Sequence, residues 1–174
     1  ILALVSGRGS PNFNELIAKA AGAAEVIAVD SVPERLAVAR AFGATAVHLE
    51  DEDPRAAVKA ATEGRGADVV VDAVGHPGVL DTAIRMIRPG GTVSATGVYA
   101  EPCQVHMGVL WIKSGTLATG QANVIAHVDR VLAMMGSGVL DPTPLVSRHM
   151  ALDDAAEAYA AFDRREALKI VLTP

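Results

Sequence analysis

The sequence predicts an α/β chain: a doubly wound parallel sheet with helices on both faces. Three observations carry this. Apolar runs of strand length alternate with helix-like stretches from Ile1 to Thr96. The strand runs, Val69-Val70-Val71 above all, are apolar throughout rather than alternating, as strands buried on both faces are. Glycine or proline closes the units, at Gly43, at Gly64 and Gly66, and at Pro89-Gly90-Gly91. Strands separated by helices pair in parallel through right-handed crossovers.

In order, the elements read as follows. Ile1–Ser6 is a strand, Asn12–Ala21 a helix and Glu25–Val29 a strand. Pro33–Phe42 is a helix, with Ser31 as its N-cap and Gly43 as its stop. Ala46–His48 is a short strand and Pro54–Thr62 a helix. Ala67–Ala73 is a buried strand, Val79–Ile87 a helix and Thr92–Thr96 a strand. After Gly97 the alternation loosens. Val98–Gly108 is loop-like, Val109–Lys113 and Thr116–Thr119 read as short strands, and Val124–Met135 as a helix. Asp141–Pro144 is a linker, Asp153–Phe162 a helix and Leu168–Leu172 a last strand. This divides the chain into a main α/β domain, residues 1–144, and a C-terminal segment, residues 145–174.

Composition narrows the function. Half the chain is hydrophobic but only 3% is aromatic. The core is therefore aliphatic, and no aromatic-basic stripe suits stacking on nucleic acid. The net charge of −5 comes from interspersed acids and bases. No apolar run has the length of a membrane span. A single cysteine, Cys103, allows neither an internal disulfide nor a multi-cysteine zinc cage within the chain. These features favour a cytoplasmic setting. The chain opens on a strand with Ile1 rather than Met, which reads as a fragment, a processed chain or an incompletely described one.

The first unit names a ligand class. Gly7-Arg8-Gly9 follows the first strand and precedes a helix, and Asp30 ends the second strand. Glycines let the backbone approach a pyrophosphate, which then meets the helix N-terminus. An acidic residue about 20 residues on accepts hydrogen bonds from the adenosine ribose. A 2′-phosphate would be repelled by Asp30, so the pattern favours NAD over NADP. Where the pattern has its third glycine this chain has Asn12, preceded by Pro11.

Further motifs carry a family resemblance. They are Val26-Ile27-Ala28-Val29-Asp30 with Pro33-Glu34-Arg35-Leu36, Phe42-Gly43-Ala44-Thr45, and Gly66-Ala67-Asp68 leading to Val71-Asp72-Ala73-Val74-Gly75. Arg88-Pro89-Gly90-Gly91-Thr92, Trp111-Ile112-Lys113, Thr119-Gly120, Leu140-Asp141-Pro142 and Ala167–Leu172 complete the set. From about residue 20 to its end, the chain resembles the cofactor-binding (Rossmann) half of a zinc-type, medium-chain alcohol dehydrogenase. The resemblance implies that Gly7 and Gly9 lie under the pyrophosphate, that Asp30 holds the ribose and that Arg35 lies beside it. It implies that Val74 and Gly75 line the cleft, that Thr96, Val98 and Thr119 offer backbone groups near the nicotinamide, and that Lys169 reaches the pyrophosphate. The parent enzyme would oxidise an alcohol or reduce an aldehyde. Its zinc would sit in an N-terminal domain that this chain lacks, so the chain alone would be inactive.

No catalytic or metal-binding residue is expected within the chain. His48, His76, His106, His127 and His149 lack partners at ligand spacing, although His76, next to Gly75, has a place from which to touch the cofactor. Two other readings share the glycine turn: a stand-alone nucleotide-binding module and an S-adenosylmethionine methyltransferase. Edge strands at Val109–Lys113 and Thr116–Thr119 suggest a homodimer. Without its natural sheet, the Leu168–Leu172 strand is expected to be mobile, mispacked or swapped between chains.

Overall fold

The computed structural model of the chain describes residues 2–5, 13–121 and 123–174. Strands β1 (Leu2–Val5), β2 (Val26–Asp30), β3 (Thr45–His48), β4 (Ala67–Asp72), β5 (Ile87–Ala95) and β6 (Thr116–Thr119) form one sheet. Its order is β3-β2-β1-β4-β5-β6, and every neighbouring pair is parallel. Between them run α1 (Phe13–Ala20), α2 (Pro33–Ala41), α3 (Pro54–Ala61), α4 (Pro77–Met86) and α5 (Met107–Ile112). The order turns back on itself between β1 and β4. That point opens a crevice at the carboxyl ends of the strands, where open α/β sheets bind ligands.

Strand periodicity divides the core in two. Ile27 and Val29 of β2 pack with Val58 of α3, Leu80 and Ile84 of α4, and Leu110 of α5. Val26 and Ala28, facing the other way, pack with Ala18 of α1 and Ala39 of α2. All five residues of β2 are buried; the first four are apolar, as a strand covered on both faces requires, and the fifth is Asp30.

Local chemistry sets the helix ends. Asp53, His76 and Asn123 accept hydrogen bonds from the first-turn N–H groups of Arg55, Gly78 and Ala126, at 3.0, 3.1 and 3.1 Å. Helix α2 starts differently from expectation. Its N-cap position is Val32, without a side-chain cap, and Asp30 Oδ1 accepts the Val32 N–H at 2.9 Å instead of Ser31 acting as the cap. At the far end of α4, Lys113 Nζ donates to the carbonyls of Ile84, Arg85 and Ile87 at 3.2, 2.6 and 2.7 Å. A cation suits that end of a helix, where carbonyls lack intrahelical partners.

Two expectations fail. Val109–Lys113 is not a strand: its first four residues belong to α5, and Lys113 is the C-cap. A four-residue apolar run does not separate helix from strand. Here Leu110 turns inward while Trp111 and Ile112 stay exposed, and His106 Nδ1 accepts the Val109 N–H. The C-terminal strand is neither unpaired nor swapped. β8 (Ile170–Thr173) pairs in parallel with β7 (Arg148–Ala151) of the same chain, with α7 (Ala155–Asp163) between them. Ser147 Oγ fastens the return, donating to the Lys169 carbonyl at 3.0 Å and accepting the Leu168 N–H at 3.0 Å. Arg148-His149-Met150-Ala151 carries no apolar strand pattern, so β7 was invisible in the sequence. Helix α6 (Val124–Gly136) buries no residue and leaves Val124, Ile125 and Leu132 exposed.

Candidate functional site

Sheet register gathers the candidate residues on one edge. Val5 lies level with Val29 and with Asp72, Asp72 with Ala95, and Ala95 with Thr119. The carboxyl ends of β2, β1, β4, β5 and β6 therefore finish together. Asp30, Asp72 to Gly75, Thr96 to Val98 and Thr119 follow one another along this edge. Four strand spacings of roughly 4.8 Å give the edge a length of about 19 Å. That shape suits an extended ligand lying across the strand ends. Gly7 and Gly9 belong to the connection after β1 and lie outside the described residues.

Asp30 anchors one end. Its side chain is almost fully buried, with Oδ1 engaged by the Val32 N–H. Oδ2 is buried and has no hydrogen-bond partner among the described residues. The nearest cation is Arg35 on the first turn of α2, with Nη1 3.6 Å from Oδ2, and this side chain too is buried. Burial raises the Asp30 pKa above the ordinary carboxylate range, while the Val32 N–H and the Arg35 charge pull it back. A buried carboxylate oxygen lacking a donor costs free energy until one arrives. A vicinal diol supplies such donors.

Asp72 organises the middle of the edge. It is completely buried at the end of β4. Its Oδ1 accepts the Val74 and Gly75 N–H groups at 2.8 and 3.1 Å, and its Oδ2 accepts the Tyr99 hydroxyl. Its backbone carbonyl accepts the N–H groups of Thr96 and Gly97 at 2.9 and 2.8 Å, and the Thr96 hydroxyl at 3.1 Å. One residue thus ties together the loops after β4 and β5. Burial, then the bond to Asp72, pushes the Tyr99 pKa well above the ordinary phenol range.

The two loops touch through glycines. Gly75 has φ of +79°, and a Cβ there would overlap the Val98 carbonyl. A Cβ on Gly97 would overlap the Gly75 backbone. Neither loop has room for a side chain at these points. The contact leaves the Val98 side chain 82% exposed and Val74 half-buried at the mouth of the crevice.

Lys169 stands apart from this group. It precedes β8 and lines a small hollow of about 230 Å³ with Ala158, Tyr159, Phe162, Ile170 and Leu172. None of the edge residues lines that hollow. A neighbouring cleft brings Phe162 to Leu168 opposite Val32, Glu34, Arg35 and Val38, so the return segment faces the start of α2. His76 is the N-cap of α4, with its Nδ1 committed to Gly78. Among the described residues no three His, Cys, Asp or Glu side chains come close enough to hold a metal ion.

Sequence reasoning did not find the Tyr99–Asp72 pair. The residues are 27 apart and meet only because β4 and β5 are adjacent. The available signal was indirect: a tyrosine in a chain almost without aromatics, placed just after a strand end.

The zinc-binding dehydrogenase family model matches residues 15–135, which include Asp30, the Asp72 hub and both glycine contacts. The chain belongs to the zinc-binding dehydrogenase family. A probable zinc-binding alcohol dehydrogenase of Mycobacterium tuberculosis is 39% identical over 88% of this chain and 40% of its own length. An L-threonine 3-dehydrogenase of Bacillus subtilis is 29% identical over 91% of the chain and 46% of its own length. Among solved structures, an alcohol dehydrogenase from Thermus sp. ATN1 superposes with a TM-score of 0.90 at 38% identity, covering 99% of this chain and 50% of that one. The chain thus spans about half the length of the relatives it matches.

Proposed function

We propose that this chain forms the NAD-binding half of an alcohol dehydrogenase-like oxidoreductase, which oxidises an alcohol or reduces an aldehyde. The observation that carries the reading is the buried Asp30 Oδ2, without a hydrogen-bond donor among the described residues, at the end of the second strand. The adenosine ribose supplies donors there. Arg35 orients the carboxylate by its charge and limits its freedom. Gly7 and Gly9 pass beneath the pyrophosphate, on the strength of their sequence position alone. Val74 and Gly75 line the cleft, and Thr96, Val98 and Thr119 present backbone groups to the nicotinamide. Lys169 is assigned to the pyrophosphate only by family resemblance. When bound, NAD supplies the hydride acceptor or donor. The chain's own residues bind it, spread it along the strand ends and hold the loops in register.

The zinc of such enzymes belongs to the remainder of the longer protein, and no residue of this chain is proposed as a ligand or as catalytic. Residues 1–144 form the cofactor domain and residues 145–174 the segment returning to the other half. A cytoplasmic setting agrees with the single free thiol, Cys103. A homodimer through β6 is supported by that strand's position at the sheet edge, with unpaired backbone groups along one side. Sedimentation that shows only monomer at high protein concentration would remove the dimer.

Calorimetric titration with NAD tests the cofactor reading directly. Saturable one-to-one binding is expected, with S-adenosylmethionine failing to compete. Absence of NAD binding to the folded chain would overturn it.

A further inference from the structure

A second concavity lies on the sheet face opposite α1 and α2. It occupies about 630 Å³ along α3 and α4, and reaches the Gly64–Gly66 turn and the start of β5. Buried Val58, Met86 and Ile87 supply apolar lining. The charged part of the lining is mostly cationic: Arg55, Lys59, Arg65, Arg85 and Lys113, against the single carboxylate of Asp53. The concavity is separate from the crevice described above. Asp30, Gly75, Thr96 and Thr119 are absent from its lining, and Gly66 and Ile87 mark the opposite, amino-terminal ends of β4 and β5.

Local ion pairs do not cancel this charge. Arg55 pairs with Asp53 at 3.3 Å and Arg85 with Asp81 at 2.8 Å. Arg65 and Arg88 share Asp68, at 2.8 and 2.6 Å. Lys59 has no ion pair among the described residues, and Lys113 is satisfied by backbone carbonyls rather than by a carboxylate. Six cations therefore face three carboxylates, in a chain whose overall charge is −5. Even with Glu63, next to the Gly64 turn, the excess stays positive. The Lys113 pKa is lowered, first by burial and then by the charges of Arg85 and Lys59. A groove with apolar lining, cations in excess of carboxylates and Lys59 without an ion pair among the described residues is electrostatically incomplete. A multivalent anion would relieve the excess.

We propose that the α3–α4 groove is a binding site for a small polyanion of the phosphate class, held by Lys59 with Arg65 beside it and distinct from the NAD crevice.

The test uses inorganic tripolyphosphate with the full chain at low salt, followed by calorimetry and by backbone amide shifts. One-to-one binding with Kd below about 1 mM is expected, with shifts concentrated at Lys59, the Gly64–Gly66 turn and Lys113. Affinity should fall as salt is raised. Lys59→Glu should weaken binding by about tenfold or more and Lys59→Ala by less. Lys59 is exposed in the last turn of α3, where a carboxylate is unfavourable, so Lys59→Ala should keep the parent's melting temperature and both variants its NAD affinity. Absence of binding at 10-fold higher ligand, on the order of 10 mM, would overturn the proposal. So would equal affinity in Lys59→Glu, or shifts that map to Asp30 and Gly75. Because NAD is read separately, failure here leaves the cofactor reading standing.

Discussion

Replacing Tyr99 by Phe removes one hydroxyl and nothing else, and the structure fixes what that costs. The hydroxyl donates to Asp72 Oδ2, and the Asp72 side chain is wholly buried. Phe keeps the ring against the apolar cluster that Tyr99 partly covers. The loss is therefore that of a donor to a buried carboxyl, about 1.5–3 kcal/mol for a bond to a charged group. For a chain of this size each kcal/mol moves the melting temperature by roughly 2–4 °C, so a fall of about 3–12 °C is expected. Urea unfolding at constant m-value is the assay. A cycle with Asp72→Asn separates the pair from its surroundings. Asp72→Asn keeps an oxygen for the Val74 and Gly75 N–H groups but replaces Oδ2, the acceptor of the Tyr99 hydroxyl, by an NH2 donor, so Tyr99→Phe should cost less in that background. The pH dependence has a definite sign. The folded Tyr99 pKa lies above the unfolded value of about 10, so its contribution is complete below that value and is lost as pH rises through the folded pKa. The variant should lack this alkaline limb. A loss under about 0.5 kcal/mol, or strict additivity in the cycle, would refute the assignment of Asp72 as the loop hub.

Two other outcomes follow from the same edge. Gly97→Ala forces a Cβ into the Gly75 backbone; overpacking of about 1–3 kcal/mol or more is expected, with weakened NAD binding in titration, and a neutral effect would mean that the loops do not touch. NAD affinity should fall on acidification at a higher pH than an ordinary carboxylate would give, because the Asp30 pKa is raised by burial. The stability sign is opposite: with its folded pKa above its unfolded one, ionised Asp30 costs the fold stability above the folded pKa, and that cost is relieved as pH falls through it. Titrations and urea melts across the acidic range should therefore diverge for the wild-type chain and run parallel in Asp30→Ala.

The parts of this molecule written in the sequence are those in which one strand or helix decides the matter. Val26–Asp30 reads as a strand from its short run rich in β-branched residues, and Asp30 closes it at the carboxyl end of the sheet, where the crevice opens. Pro33, Pro54 and Pro77 sit in the first turns of their helices. What could not be read depends on meetings between distant elements. Tyr99 meets Asp72 only across β4 and β5. Lys113 caps α4 from 26 to 29 residues away. The polar strand Arg148–Ala151 forms because Ile170–Thr173 lies beside it. The apolar run at Val109 took a helix because Leu110 had a core to enter, while its neighbours on the outer face did not.

The central claim is that Asp30 reads the adenosine ribose. The most direct measurement is the ratio of NAD to NADP affinity, by calorimetry, in the wild-type chain and in Asp30→Ala. The wild type should bind NAD at least about tenfold more tightly than NADP, a difference of about 1.4 kcal/mol, and Asp30→Ala should weaken NAD binding and close the gap. Equal affinities in the wild type, or an unchanged ratio in the variant, would contradict it.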